Sequence, residues 1–276
     1  MKLVTYATRR KPSDTQVGIW GPQGIYAVEN WGGSLRELIA YGVTPTQKGK
    51  PQSLDDVIIK APLKPSKIIG VGRNYAAHAE ELGNTVPGEP LLFAIFSTAV
   101  IGDGDTIRWS QALTKQVDWE GELAVVIGGT GWNIPEAEAM DYVYGYTVAN
   151  DVSARDLQDG DSQWVRAKGL DTFCPLGPAI VTADVIPDPH KLTVTTTVNG
   201  EQMQHGSTAL MIYRIPHLIA YCSRAFTLEP GDVILTGTPA GVGKGMNPPR
   251  FLADGDEVAV EISAVGRLRN PCMVVD

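Results

Sequence analysis

The chain has 276 residues, 43% hydrophobic and 20% charged, with a formal net charge of −8. These proportions are ordinary for a soluble globular protein. The acidic balance argues against nucleic acid or an anionic membrane as the main partner, while leaving room for an acidic small molecule in a locally cationic site. The 30 glycines and 19 prolines favour a loop-rich, strand-rich mixed α+β fold over a helical bundle. Cys174, Cys222 and Cys272 are odd in number and far apart, without a Cys-x-x-Cys pair. That pattern fits free thiols in a reducing compartment and gives no support to a zinc or redox site. The first ten residues are not an apolar signal region, and no run approaches the roughly 20 apolar residues of a membrane span, so the expected location is the cytoplasm.

In chain order, residues 1–62 read as a small independent unit. Val17–Trp20 and Gly24–Val28 flank Gly21-Pro22-Gln23, a hairpin signal. Ser34 to Gly42 reads as a short helix, with Ser34 as N-cap and Gly42 just past its end. The prolines of Pro62-Leu63-Lys64-Pro65 mark the boundary with a second unit, 67–276. There Lys67–Gly72 reads as a buried strand, Asn74–Leu82 as a helix ended by Gly83, and Leu91–Ile101 as an apolar run before the turn Asp103-Gly104-Asp105. A helix is expected from Asp151 through Gln158. Leu192–Val198 meets Asn199-Gly200, a strong hairpin signal. Ile215–Ala225 should be a helix with Pro216 in its first turn, and Glu257–Ile262 alternates as a strand. Two glycine-rich stretches carry no nucleotide site. Thr238–Gly245 lacks the leading glycine of a P-loop and has Gly245 where Ser or Thr belongs. Gly70–Tyr75 has Tyr75 where a dinucleotide fingerprint needs glycine.

Candidate chemistry centres on carboxylates. Glu120 and Glu122 lie two apart at the head of an apolar run and so share one strand face, where their like charges repel unless a cation intervenes. On spacing alone a solvated strand end is the commoner arrangement. No pair among His78, His190, His205 and His217 has metal-ligand spacing, so a metal site would be built from oxygen. Glu120, Glu122 and Asp151 are the hard ligands that suit Mg²⁺ or Mn²⁺. Asp151, Arg155 and Gln158 would share a helix face, giving either an intrahelical ion pair or a cradle for a carboxylate beside a carbonyl. His78 and Glu81, three apart, form either an exposed helix pair or a general-base dyad. A serine-hydrolase elbow is missing.

Five stretches then occur in a familiar order: Val71–His78, Asp118–Leu123, Asn150–Gln158, Lys168–Pro178 and Leu228–Pro239. Together they resemble the fumarylacetoacetate hydrolase family over residues 67–276, and the N-terminal unit resembles the small extra domain of its longer bacterial members. The resemblance implies a β-sandwich roll with a small N-terminal α/β domain, acting as a homodimer with Mg²⁺ or Mn²⁺. It implies Glu120, Glu122 and Asp151 as metal ligands, and His78 with Glu81 as a water-activating dyad on a mobile lid. Lys168 would join the catalytic groups, with Arg73, Tyr75, Arg155, Gln158, Thr236, Gly237 and Thr238 binding substrate. One position departs from the family: Ile95 stands where many members carry lysine, which bears on the distal group of the substrate. The activity expected from the resemblance is hydrolysis of a carbon–carbon bond in an acylpyruvate-type 2-oxo acid. Oxaloacetate-type decarboxylation and 2-hydroxydienoate isomerisation are alternatives using the same cradle.

Overall fold

A computed structural model describes residues 1–276. Its largest sheet runs, in spatial order, through Gln47–Gln52, Gly24–Val28, Lys11–Gly21, Lys2–Thr8, Cys174–Thr182, Val143–Asn150, Gly121–Ile127, Val233–Leu235, Ile68–Gly72 and Leu91–Ile95. A second sheet is ordered Glu201–Ser207, Thr193–Val198, Glu257–Ile262, Gly266–Val274 and Ile107–Trp109. Five short helices accompany them: α1 (Leu35–Ala40), α2 (Ala76–Glu81), α3 (Arg155–Gly160), α4 (Val165–Lys168) and α5 (Ile215–Ala225). The result is the β-rich α+β fold expected from the composition. None of the helices is long and apolar enough to cross a membrane.

The strand Gly121–Ile127 is buried at every position, which is why it reads as a continuous apolar run rather than an alternating one. Leu123, Val125 and Ile127 face one core, shared with Val194, Val260 and Ile262 of the second sheet and with Leu218, Ile219 and Cys222 of α5. Ala124 and Val126 face a second core on the opposite side. Several local expectations match. Ser34 caps α1 through a reciprocal bond with Glu37, and α5 spans Ile215–Ala225 with proline in its first turn. Asn199 and Gly200 turn the hairpin with φ of 51° and 80°, the left-handed pair that a two-residue turn demands.

Two readings are corrected. The helix after Asp151 begins only at Arg155, because Ser153–Ala154 first pairs with Val117–Asp118 as a two-residue ladder. Asp151 and Arg155 are therefore not neighbours on one helix face. Nor is the N-terminal segment independent by its hydrogen bonding. Lys2–Thr8 pairs with Cys174–Thr182, Leu3 opposite Ile180. Leu3, Ile19 and Leu38 share a core with Ala124, Ile180 and Val233. Pro62–Pro65 marks a change of sheet partner, not an end of the sheet.

Candidate metal centre and active site

The cradle is made by strand register. Gly121 pairs with Asn150 across the antiparallel ladder, and Asp151 N–H donates to the Glu120 carbonyl at 2.9 Å. Asp151 is thus carried beside Glu120, while Glu122 lies two residues along on the same face. One carboxylate oxygen from each of Glu120, Glu122 and Asp151 lies within 4.8 Å of the others, and all three residues are buried. Lys168 enters from α4, its Nζ donating to Glu120 Oε2 at 2.6 Å and Asp151 Oδ2 at 2.8 Å. Arg155 bonds Asp118 through Nε at 2.8 Å and Glu120 through Nη1 at 2.7 Å.

Burial alone would raise every carboxyl here. In Glu120 the nearby Lys168 and Arg155 charges outweigh that cost and hold it down at about 2. In Asp151 burial wins over Lys168, and the group rises to about 6. Glu122, with no direct cationic partner, is pushed well up by burial and then by Asp151 and Glu120. Lys168 stays charged, since Asp151 and Glu120 more than offset its own burial.

A divalent cation fits this donor set. Four carboxylates, counting Asp118, face two cationic side chains, leaving a formal charge of −2 in a buried site. Asp151 Oδ1 is buried without any hydrogen-bond partner, a costly state for a carboxylate oxygen unless another ligand satisfies it. A pH dependence follows. Between about pH 4, where an unfolded Asp titrates, and about 6, where Asp151 does, the metal-free fold holds a proton that the unfolded chain releases. This contribution to stability is therefore lost as pH rises through that window. Binding Mg²⁺ or Mn²⁺ needs the carboxylates ionised, so the gain in Tm from added Mn²⁺ should grow from about pH 5 to pH 7 in scanning fluorimetry. A pH-independent gain would count against binding at these carboxylates.

The other expected residues divide into two groups. His78, Arg73, Arg155, Gln158, Lys168 and Thr238 line one cavity of about 320 Å³ together with Glu120 and Glu122. His78 Nδ1 lies 2.8 Å from Glu81 Oε1, and Glu81 Oε2 accepts from Gly241 N–H at 2.8 Å. Asn74 fixes the start of α2 by bonding the Tyr213 backbone and the Thr236 carbonyl. Gly237 N–H donates to Glu122 Oε2 at 2.6 Å and the Thr236 hydroxyl to the Leu123 carbonyl, so these two hold the cradle from behind. Tyr75 is 2% exposed in the hydrophobic core and does not line the cavity. Ile95 is likewise buried, among Ile68, Ala124 and Val233, and does not face the substrate space.

Sequence reasoning left Asp118 without a role. Its buried carboxylate accepts from Arg155 Nε and from the backbone N–H groups of Gly243 at 2.7 Å and Lys244 at 3.0 Å. It ties the guanidinium to the loop whose Gly241 holds Glu81. The partners are distant in sequence, so spacing carried no signal. Asp118→Ala should destabilise the fold by about 3–5 kcal/mol, because it strips a buried arginine of one counter-charge. Urea unfolding measures this, and a loss under about 1 kcal/mol would show that the pair is not structural.

A β-rich fold holding a buried three-carboxylate cradle beside a His–Glu dyad defines the class of site. The chain belongs to the fumarylacetoacetate hydrolase family: residues 67–273 match the family description fumarylacetoacetate (FAA) hydrolase C-terminal. It is 46% identical over 248 residues to the mitochondrial oxaloacetate tautomerase of Xenopus laevis, covering 86% of this chain and 77% of that one. It is 48% identical over 222 residues to the oxaloacetate tautomerase YisK of Bacillus subtilis (strain 168), covering 79% and 74%. Among solved structures, a fumarylacetoacetate hydrolase from Exiguobacterium antarcticum superposes with a TM-score of 0.91 at 40% identity over 100% of both chains. A 5-carboxymethyl-2-hydroxymuconate delta-isomerase from Mycobacterium smegmatis gives 0.83 at 38% identity, again over 100% of both. The family is one of enzymes, and its named relatives are tautomerases, isomerases and hydrolases.

Proposed function

We propose that the protein interconverts the keto and enol forms of a short 2-oxo dicarboxylic acid of the oxaloacetate type, with Mg²⁺ or Mn²⁺ as its cation. The observation that carries this reading is the cavity. It is about 320 Å³, and only four of its 16 lining residues are hydrophobic. Such a space suits a small, doubly charged acid better than one with a bulky acyl tail. The names of the similar tautomerases and isomerases support the same choice.

Glu120, Glu122 and Asp151 would hold the cation, which when bound supplies Lewis-acid stabilisation of charge on the 2-oxo oxygen. Arg155 Nη2 is buried without a partner and is available to the adjacent carboxylate. Of the four cations lining the cavity, Arg155, Lys168 and Lys244 are paired to carboxylates. Arg73 has no such pairing, so it would take the second carboxylate. His78, its Nδ1 held by Glu81, would take the C3 proton at Nε2. The 2-oxo oxygen would gain a proton from His78 or solvent to give the enol, the reverse steps restoring the keto form.

The test is the approach of oxaloacetate to its keto–enol equilibrium, followed by enol absorbance with Mg²⁺ or Mn²⁺. No acceleration over the uncatalysed rate would sink the proposal. A second reading, hydrolysis of an acylpyruvate, is favoured by the same dyad, which can deprotonate water as well as carbon. His78→Ala separates the two. Hydrolysis should vanish, whereas tautomerisation should fall by about 10²–10³ and leave a residual rate. The homodimer belongs to this proposal, and sedimentation velocity tests it.

A further inference from the structure

The cavity wall also carries Trp164, which belongs to neither the cradle nor the dyad. Trp164 precedes α4, and its carbonyl accepts the Lys168 N–H at 2.9 Å. The two residues are thus four apart on one helix face, a rise of about 6 Å. The indole is fixed on three sides. It lies against the bare backbone of Gly72, where an added Cβ would come 2.5 Å from the ring. It meets Phe93 edge-on with centroids 5.4 Å apart, and the Arg73 guanidinium lies over its face at 5.8 Å. The Lys168 ammonium in turn sits 5.3 Å from the Phe93 ring. Lys168, Phe93, Trp164 and Arg73 therefore form a continuous packed row from the cradle to the unpaired cation.

We infer that Trp164 sets the length of acid the site accepts, by fixing Arg73, the cation left for the second carboxylate, and by filling the cavity wall beside it. This rests on the enolisation reading above. A four-carbon dioic acid spans three carbon–carbon bonds of about 1.5 Å, at most about 4.5 Å. A six-carbon acid needs five such bonds, at most about 7.5 Å, and the extra length would have to come from the side of the cavity that the indole lines. Trp164 touches no reacting atom in this account; it is a specificity-determining and positioning residue.

The experiment measures deuterium exchange at C3 of oxaloacetate, 2-oxoglutarate and 2-oxoadipate by NMR, using full-length protein with Mn²⁺. The wild type should rank them in order of increasing length. In Trp164→Ala, kcat/KM for oxaloacetate should fall at least about tenfold while that for 2-oxoadipate holds or rises, so that their ratio shifts by at least about tenfold. Trp164→Phe, which keeps an aromatic ring against Gly72, should show a smaller shift in the same direction and covers the case in which the alanine variant does not fold. An equal loss for every length would overturn the inference, since that is what a merely structural residue gives. Binding of malonate, succinate, glutarate and adipate by calorimetry keeps the two claims separate. If the wild type exchanges no acid at C3, the enolisation reading fails. The length ranking in binding, and its loss in either variant, still decides the role of Trp164.

Discussion

Glu122→Gln should lower metal-dependent turnover by about 10³-fold while raising the stability of the metal-free protein. The two effects have one cause. Glu122 is 1% exposed, and burial together with Asp151 and Glu120 makes its charged form unfavourable. The amide keeps the shape and an acceptor for Gly237 N–H, which donates to Oε2 in the wild type. It removes only the charge, and so the repulsion. The same charge is needed to bind a hard cation, and loss of electrostatic stabilisation in a buried site typically costs 10²–10³ in rate. Thermal melts without metal, calorimetric titration with Mn²⁺ and the enol assay read the three consequences. Full metal-dependent turnover in this variant would remove Glu122 from the cation site.

Lys168→Met should be, with Asp118→Ala, among the most damaging single changes to the fold at the site. The side chain is 1% exposed and contacts both Glu120 and Asp151. Methionine fills much of the same apolar path past Phe93 but leaves two buried carboxylates without their ammonium. Breaking a buried pair in this way costs about 3–5 kcal/mol, equivalent to a fall in Tm of roughly 10 °C for a chain of this size. Added Mn²⁺ should recover part of the loss, because positive charge returns to the same carboxylates, whereas turnover should stay low. A melting temperature unchanged from wild type would mean that Lys168 does not compensate the cluster.

Local chemistry made the secondary structure readable. The Ser34–Glu37 capping box, the Asn199-Gly200 turn and the proline start of α5 depend on a few adjacent residues, and each stands where the sequence put it. The cradle was only half readable. Alternation placed Glu120 and Glu122 on one face, but their burial depends on a strand covered on both sides. Asp151 joins them by pairing with a strand some thirty residues earlier, not by any helical spacing. The ordered motifs supplied what periodicity could not. Asp118 and Trp164 escaped because their partners, Gly243, Lys244, Gly72 and Phe93, come together only in three dimensions. Ile95 went the other way: an apparent departure at the site proves to be core packing.

The pairing of Leu3 with Ile180 has a consequence for how the protein reaches its native state. Lys2 and Leu3 have no partner on their inner edge until Cys174–Thr182 emerges, whereas Thr5–Thr8 pair there with the nearer Val57–Lys60. The loop that must close between Leu3 and Ile180 spans most of the chain, so closure carries an entropic cost before any contact repays it. Contacts of such high order slow folding. The N-terminal strands, which pair with one another at short range, therefore join the sheet that carries the carboxylate cradle in a late event.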